Sequence, residues 1–283
     1  MPALPIEKVL DDIKSGLTIH SRLVLQAPPG AGKTTLVPLA LLNQPWLKNR
    51  QIIMLEPRRL AARNAAARMA FLLNETVGQT VGYQIRQDSR TSEQTKILVV
   101  TEGILTRKLQ ADPELKNYAL VIFDEFHERS LHADLSLALC LQSQQILRED
   151  LKILVMSATL NTNAISGLLD NAPVIQSEGR SFPVDIIYSD KPLKPFDNRQ
   201  LISALLTNVK KVISDHQGNC LVFLPGVKEI NQLHNAAKQY LENESIADIL
   251  LAPLHGSLSK QQQDLAISTP DKDKRKIVLA TNI

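Results

Sequence analysis

A chain of 283 residues with 44% hydrophobic content can bury the core of one large domain or two of ordinary size, and two are expected. Its 32 basic residues nearly balance 29 acidic ones for a net charge of +3, a field too weak to argue for a polyanionic partner, so any nucleic-acid site must be read from local residues. Met1 to Ile19 mixes charges into every turn, which excludes a signal peptide or membrane span there, and the well-separated Cys140 and Cys220 read as reduced core thiols, so a cytoplasmic protein is expected.

In chain order, the apolar run Arg22 to Ala27 predicts a strand. Directly after it, Ala27-Pro28-Pro29-Gly30-Ala31-Gly32-Lys33-Thr34-Thr35 predicts a phosphate-binding loop that opens a helix. Small residues at Gly30, Ala31 and Gly32 let the backbone curl until successive N–H groups point at phosphate oxygens, with Pro29 and Thr35 flanking that cradle. Lys33 adds a mobile positive charge, Thr34 offers a hydroxyl to Mg2+, and the helix turns its positive dipole end towards the anion. Ala27 stands where the strict pattern has Gly and puts only a methyl at the strand end.

Further strands are predicted at Gln51 to Glu56, Lys96 to Thr101, Leu120 to Asp124 and Lys152 to Ser157, with helices at Leu60 to Leu73 and Arg129 to Leu147. This alternation means an α/β fold with a parallel sheet. The strand from Leu120 ends in Asp124 and Glu125, and ligands of such sheets gather at the carboxyl ends of strands. There Asp124 can hold magnesium, while Glu125 can orient or deprotonate the water that attacks a phosphate and can also reach the metal; His127 adjoins both. An exposed Asp-Glu pair opening a helix is the plain alternative. The loop at Lys33 decides against it by supplying the other half of a magnesium-nucleotide site.

The stretch Ile175 to Pro183 turns polar and carries Gly179 and Pro183, which predicts a linker between domains 1–178 and 179–283. A second alternation follows, with strands at Val184 to Tyr188, Asn219 to Leu224 and Lys276 to Thr281 and helices at Gln200 to Ile213 and Val227 to Leu241. The charged run Asp271 to Lys276 reads as a solvated loop before the last strand.

Lys33, Asp124-Glu125-Phe126-His127-Glu128-Arg129 and Ser157-Ala158-Thr159 together resemble the DEAH/RHA group of superfamily 2 helicases. Pro57-Arg58-Arg59-Leu60-Ala61-Ala62 is similar to that group's motif Ia and Thr101-Glu102-Gly103 to motif Ib. Leu221 to Gly226 is similar to motif IV, and Leu279 to Ile283 to the opening of motif V. Phe126, where the group's name has Ala, is similar to the bacterial HrpB branch. The resemblance implies two RecA-like domains, ATP and Mg2+ in their cleft, and a single RNA strand across both: an ATP-dependent RNA helicase, or alternatively a nucleotide-gated RNA clamp that does not unwind. It implies backbone-directed, salt-sensitive RNA contacts from Arg58, Arg59, Arg86, Thr101, Thr281 and Asn282. It also implies a nucleobase stacked on Arg68, with Ala266 near the position of the usual aromatic partner, and coupling of nucleotide state to RNA through Ser157 and Thr159. The sequence stops at Ile283 inside motif V, with nothing similar to the arginine-bearing motif VI. The second domain is therefore expected to be incomplete and the fragment impaired in hydrolysis.

Overall fold

Strands that are apolar along their whole length need cover on both faces. In the computed structural model, which describes residues 4–158, 162–179, 183–188 and 198–282, the long strands of the first half have it. The chain divides into two compact units, Met1–Pro183 and Val184–Ile283. In the first, a 3-10 turn at Pro5–Val9 leads into α1 (Leu10–Ile19), β1 (Arg22–Gln26), α2 (Lys33–Ala40), β2 (Gln51–Glu56), α3 (Arg59–Leu72), β3 (Val81–Ile85), β4 (Asp88–Arg90) and β5 (Ile97–Thr101). There follow α4 (Glu102–Ala111), β6 (Tyr118–Phe123), α5 (Leu131–Ile146), β7 (Lys152–Ser157), α6 (Thr162–Leu168) and β8 (Val174–Gln176).

These strands form one sheet in the order β4-β3-β5-β2-β6-β7-β1-β8. Only the short hairpin strand β4 runs antiparallel to its neighbour. Successive strand residues point to opposite faces. Accordingly Leu23, Leu25, Ile52 and Met54 pack with Ile13 and Leu17 of α1, Val37 of α2 and Ala62, Ala66 and Met69 of α3. Their neighbours Val24, Ile53, Leu55, Val121 and Phe123 pack on the other face with Leu105 of α4 and Leu137 and Cys140 of α5. Each such Leu or Ile taken fully from water contributes about 1.5–3 kcal/mol. Because the strands are parallel, the loops after β1, β2, β5, β6 and β7 all leave from one edge, and the site is built there.

The second unit holds α7 (Asn198–Asp215), β9 (Cys220–Phe223), α8 (Val227–Asn243), β10 (Ile249–Leu254), α9 (Lys260–Ile267) and β11 (Arg275–Ala280). Its sheet is parallel, in the order β10-β11-β9, over a core of Val209, Leu224, Ile230, Leu233, Ile277 and Leu279. Leu221 and Phe223 on β9 are exposed. Cys140 and Cys220 are free thiols.

Three expectations need correction. Ile175 and Gln176, expected to begin the linker, belong to β8, whose backbone pairs with β1. Val184 to Tyr188 forms no strand: the segment has no regular structure, and Val184, Ile186, Ile187 and Tyr188 are exposed. The run ending at Lys276 is not wholly solvated, because Arg275 and Lys276 open β11. Lys276 Nζ donates to the carbonyls of Leu265 (2.6 Å), Ala266 (3.4 Å) and Ser268 at the end of α9. Arg275 donates to those of Ile213 (3.0 Å), Val212 (3.3 Å) and Gly218 (3.3 Å) at and just beyond the end of α7. Helix ends present orphan carbonyls and partial negative charge, which is why cations settle there. The β3–β4 hairpin, β10, α1, α4 and α9 were not anticipated either.

Candidate active site

The loop after β1 curls because Gly30 and Gly32 take φ of +76° and +95°, which side chains disfavour. Gly32 has a second reason to lack a side chain: a Cβ there would lie 2.9 Å from Leu4 Cδ1. The N-terminal turn braces the loop from behind, with Ile6 N–H donating to the Ala31 carbonyl at 3.2 Å. Gly179 braces it from another side, since a methyl there would overlap the ring of Pro28. Ala27, the departure from the strict pattern, is fully buried and adds its methyl to the core. Pro29 and Gly30 are exposed at the tip, Lys33 and Thr34 open α2, and Thr35 Oγ1 donates to the Gly32 carbonyl at 3.4 Å.

Two side-chain contacts join this loop to the end of β6. Lys33 Nζ donates to Glu125 Oε1 at 2.6 Å, and Thr34 Oγ1 donates to Asp124 Oδ2. Asp124 also accepts from the Glu125 N–H at 2.8 Å. Burial raises the Asp124 carboxyl above its ordinary value, against the pull of the Lys33 charge. Beside it, at the end of the neighbouring β2, lies Glu56, a site residue that the sequence presents only as a strand terminus. Burial first, then the charge and hydrogen bond of Asp124, push its carboxyl to about 10, so Glu56 is a neutral acid at neutral pH. Its Oε1 is buried with no hydrogen-bond partner among the described residues. The only signal in the sequence was an acid closing an otherwise apolar strand.

The oxygens of Thr34, Asp124 and Glu125 are hard donors of the kind Mg2+ takes. Among the described residues no cluster of three or more His, Cys, Asp or Glu could enclose a metal. A magnesium ion here would therefore draw its other ligands from phosphate and water.

Glu125 and Arg129 take left-handed φ of 50° and 46° on either side of a 3-10 turn, Phe126–Glu128. That turn is anchored on several sides. Phe126 is buried edge-on to Phe123 at 6.0 Å. His127 Nδ1 accepts from the Ala158 N–H at 3.3 Å and lies 3.4 Å from Glu125 Oε2. Arg129 grips Asp134 with two nitrogens, at 3.0 and 2.9 Å, and Glu128 Oε2 accepts from Arg58 Nη2 at 2.8 Å. Ser157 is buried at the end of β7, its carbonyl accepting from the Ala27 N–H at 3.0 Å. Thr159 lies outside the described residues.

Arg59, Arg86 and Thr101 come together around a cavity of about 530 Å³, joined by Glu102, Arg107 and His132. Arg86 reaches it from the two-residue β3–β4 turn. Arg107 and His132 were missed; for Arg107 the signal was its place one helical turn beyond Gly103, whose carbonyl it binds at 3.1 Å. Arg58 belongs instead to the turn described above. Arg68 is exposed on α3 with its guanidinium 5.3 Å from the ring centre of the exposed Phe71, and Ala266 is buried in α9. In the second unit, Thr281 N–H donates to the Leu254 carbonyl at 3.2 Å and Asn282 is exposed. No helix among the described residues is long and apolar enough to cross a membrane.

Against known families, residues 7–166 match the DEAD/DEAH box helicase family and residues 200–283 the helicase conserved C-terminal domain. The chain is 47% identical over its whole length to the ATP-dependent RNA helicase HrpB of Escherichia coli, of which it covers 34%. It is 37% identical over 99% of its length to the ATP-dependent RNA helicase HrpA of Borreliella burgdorferi, covering 33% of that protein, and 36% identical to the human probable ATP-dependent RNA helicase DHX34, covering 25%. It thus spans about a third or less of the length of these curated relatives. A crystal structure of the E. coli DEAH/RHA helicase HrpB superposes with a TM-score of 0.88 over 99% of this chain and 35% of that one.

Proposed function

The chain belongs to the DEAD/DEAH box helicases, as a DEAH/RHA-type member with RecA-like folds, and from that premise we propose that it binds Mg-ATP between two RecA-like domains, residues 1–178 and 179–283, and uses its hydrolysis to move along a single RNA strand. The observation that carries this reading is the joining of Lys33 to Glu125 and Thr34 to Asp124, which makes one site of the phosphate loop and the carboxylates. In it the backbone N–H groups of Gly30 to Thr35 cradle phosphate, and Lys33 exchanges the Glu125 carboxylate for a phosphate oxygen. Thr34 and Asp124 hold Mg2+, which supplies charge neutralisation, with Glu125 close enough to assist. Once parted from Lys33, Glu125 orients the attacking water as its base, and His127 positions Glu125 while linking it to the strand end at Ser157-Ala158 and, through Thr159, to the RNA path. Arg68 offers a flat cationic face to the nucleobase.

RNA phosphates lie along Arg58, Arg59, Arg86 and Thr101, with Thr281 and Asn282 gripping the strand from the second domain. The cavity of arginines adds Arg107 and His132 to that path. The test is ATP turnover with and without single-stranded RNA, on residues 1–283 and on a longer form carrying them. RNA-stimulated turnover and unwinding in the longer form are expected. Nucleotide-dependent RNA binding without RNA-stimulated turnover in the longer form would instead identify a clamp.

A further inference from the structure

We infer that Glu128 is a built-in competitor for the RNA phosphate at Arg58, and that its displacement carries RNA occupancy to Glu125. The inference rests on the proposed function, which supplies the RNA, but not on the family resemblance, which assigns Glu128 no role. Arg58 and Glu128 are paired at 2.8 Å, each side chain 36% exposed, so an incoming phosphate can reach the guanidinium that the carboxylate occupies. Carboxylate and phosphate both suit the planar guanidinium fork, and seating both on it brings like charges close, so a phosphate that takes Nη2 competes with Glu128 for it. An exposed ion pair is worth little, which makes it exchangeable rather than locked.

Glu128 is placed to pass the change on. It closes the 3-10 turn that begins one residue after Glu125, and its N–H binds the Glu125 carbonyl at 2.9 Å. Glu125 is held at a φ of 50°, a conformation that persists only while its surroundings enforce it. His127 on Ala158, Arg129 on Asp134, Phe126 on Phe123, Lys33 on Glu125 itself and Glu128 on Arg58 are among the side-chain ties that enforce it. Of these, the Arg58 tie is the one that reaches towards an arginine of the proposed RNA path. Its release loosens the turn and lets Glu125 leave Lys33 for water. Phosphate at Arg58 and a working Glu125 are then coupled, each favouring the other by linkage.

The experiment measures the affinity of residues 1–283 for a fluorescent single-stranded oligouridylate at low salt, and for Mg-ADP with and without that RNA. Glu128→Ala should bind RNA about two- to fivefold more tightly, the worth of an exposed pair, whereas Glu128→Asp should behave like the parent. In the Arg58→Ala background Glu128→Ala should add nothing. The change in Mg-ADP affinity caused by saturating RNA should shrink by about half or more in Glu128→Ala. Circular dichroism of Glu128→Ala and of the isosteric Glu128→Gln checks the fold, and Gln should move RNA affinity in the same direction by less. Equal RNA affinity in parent and Glu128→Ala overturns the inference alone. So does a gain that persists without Arg58, since that reports only the removal of a nearby negative charge, and an unchanged RNA effect on Mg-ADP overturns the transmission step. A parent that binds no RNA at low salt overturns the proposed function and this inference with it.

Discussion

Lys33 in the first unit and Lys276 in the second are equally hidden, each 3% exposed, yet their ammonium groups are satisfied in opposite ways. Lys276 spends its donors on the carbonyls of Leu265, Ala266 and Ser268, fixed backbone groups that leave it nothing to exchange. Lys33 has one carboxylate partner, Glu125, itself part of a site built for another anion. Burial alone thus does not separate a structural lysine from a working one; the mobility of the partner does. Saturation by main chain means architecture, and pairing with a single replaceable anion means chemistry.

The largest effect is expected from Lys33's partner. In a form that turns over, Glu125→Gln should lower the rate of hydrolysis about 10²–10⁴-fold while leaving nucleotide binding in place, since the amide keeps shape and loses basicity. Asp124→Asn should in addition weaken magnesium-dependent binding. Turnover by the Gln variant equal to the parent's would remove Glu125 from the water-handling role. Next, Lys33→Ala should weaken ATP and ADP binding about a hundredfold or more, close to 3 kcal/mol, with little change in thermal midpoint. Calorimetric affinities that match between variant and parent would show the site to be misplaced.

Lys276→Met should do the reverse, destabilising the second unit by about 2 kcal/mol as the end of α9 loses its cap, with nucleotide affinity untouched. Chemical denaturation read against a nucleotide titration separates the two lysines; a Met variant as stable as the parent would break the comparison. The smallest effect concerns Asp150, which is shared by Arg148 and Arg50 and about half exposed. The Arg148 hydrogen bond, then that of Arg50, hold its carboxyl well below its ordinary value. A depressed carboxyl contributes stability that is present above its ordinary value near 3.8 and lost as pH falls below it. Asp150→Asn should therefore lower the melting temperature slightly at neutral pH, with the difference closing as pH falls below that value, so that its acid limb is flatter; solvent screening keeps the effect small. Parallel acid limbs for the two proteins would deny the pair any role.

The contrast between the lysines also marks how far the residues could be read in advance. Lys33, Thr34, Asp124 and Glu125 were legible because phosphate chemistry demands those residue types at those spacings, after apolar strands whose ends must converge. The long buried strands were legible as apolar runs, while β10 and the short β3–β4 hairpin carry too little pattern to stand out. Lys276 was misread because a charged run looks the same whether water or a helix end receives it. Glu56 was invisible as a site residue because its neutrality depends on β6 lying beside β2, a pairing no local pattern states. Gly179 looked like linker punctuation, and only the fold shows it pressed against Pro28.

Arg275 and Lys276 are adjacent on β11, so they point to opposite faces of the sheet, one closing α7 and the other α9. For a growing chain this sets a schedule. The Ile213 carbonyl takes its side-chain donor from a residue 62 positions further along the chain. The unit cannot settle one face first and the other later, because a single late strand completes both. Both helix ends therefore gain these side-chain donors in one step, when the strand carrying Arg275 and Lys276 docks.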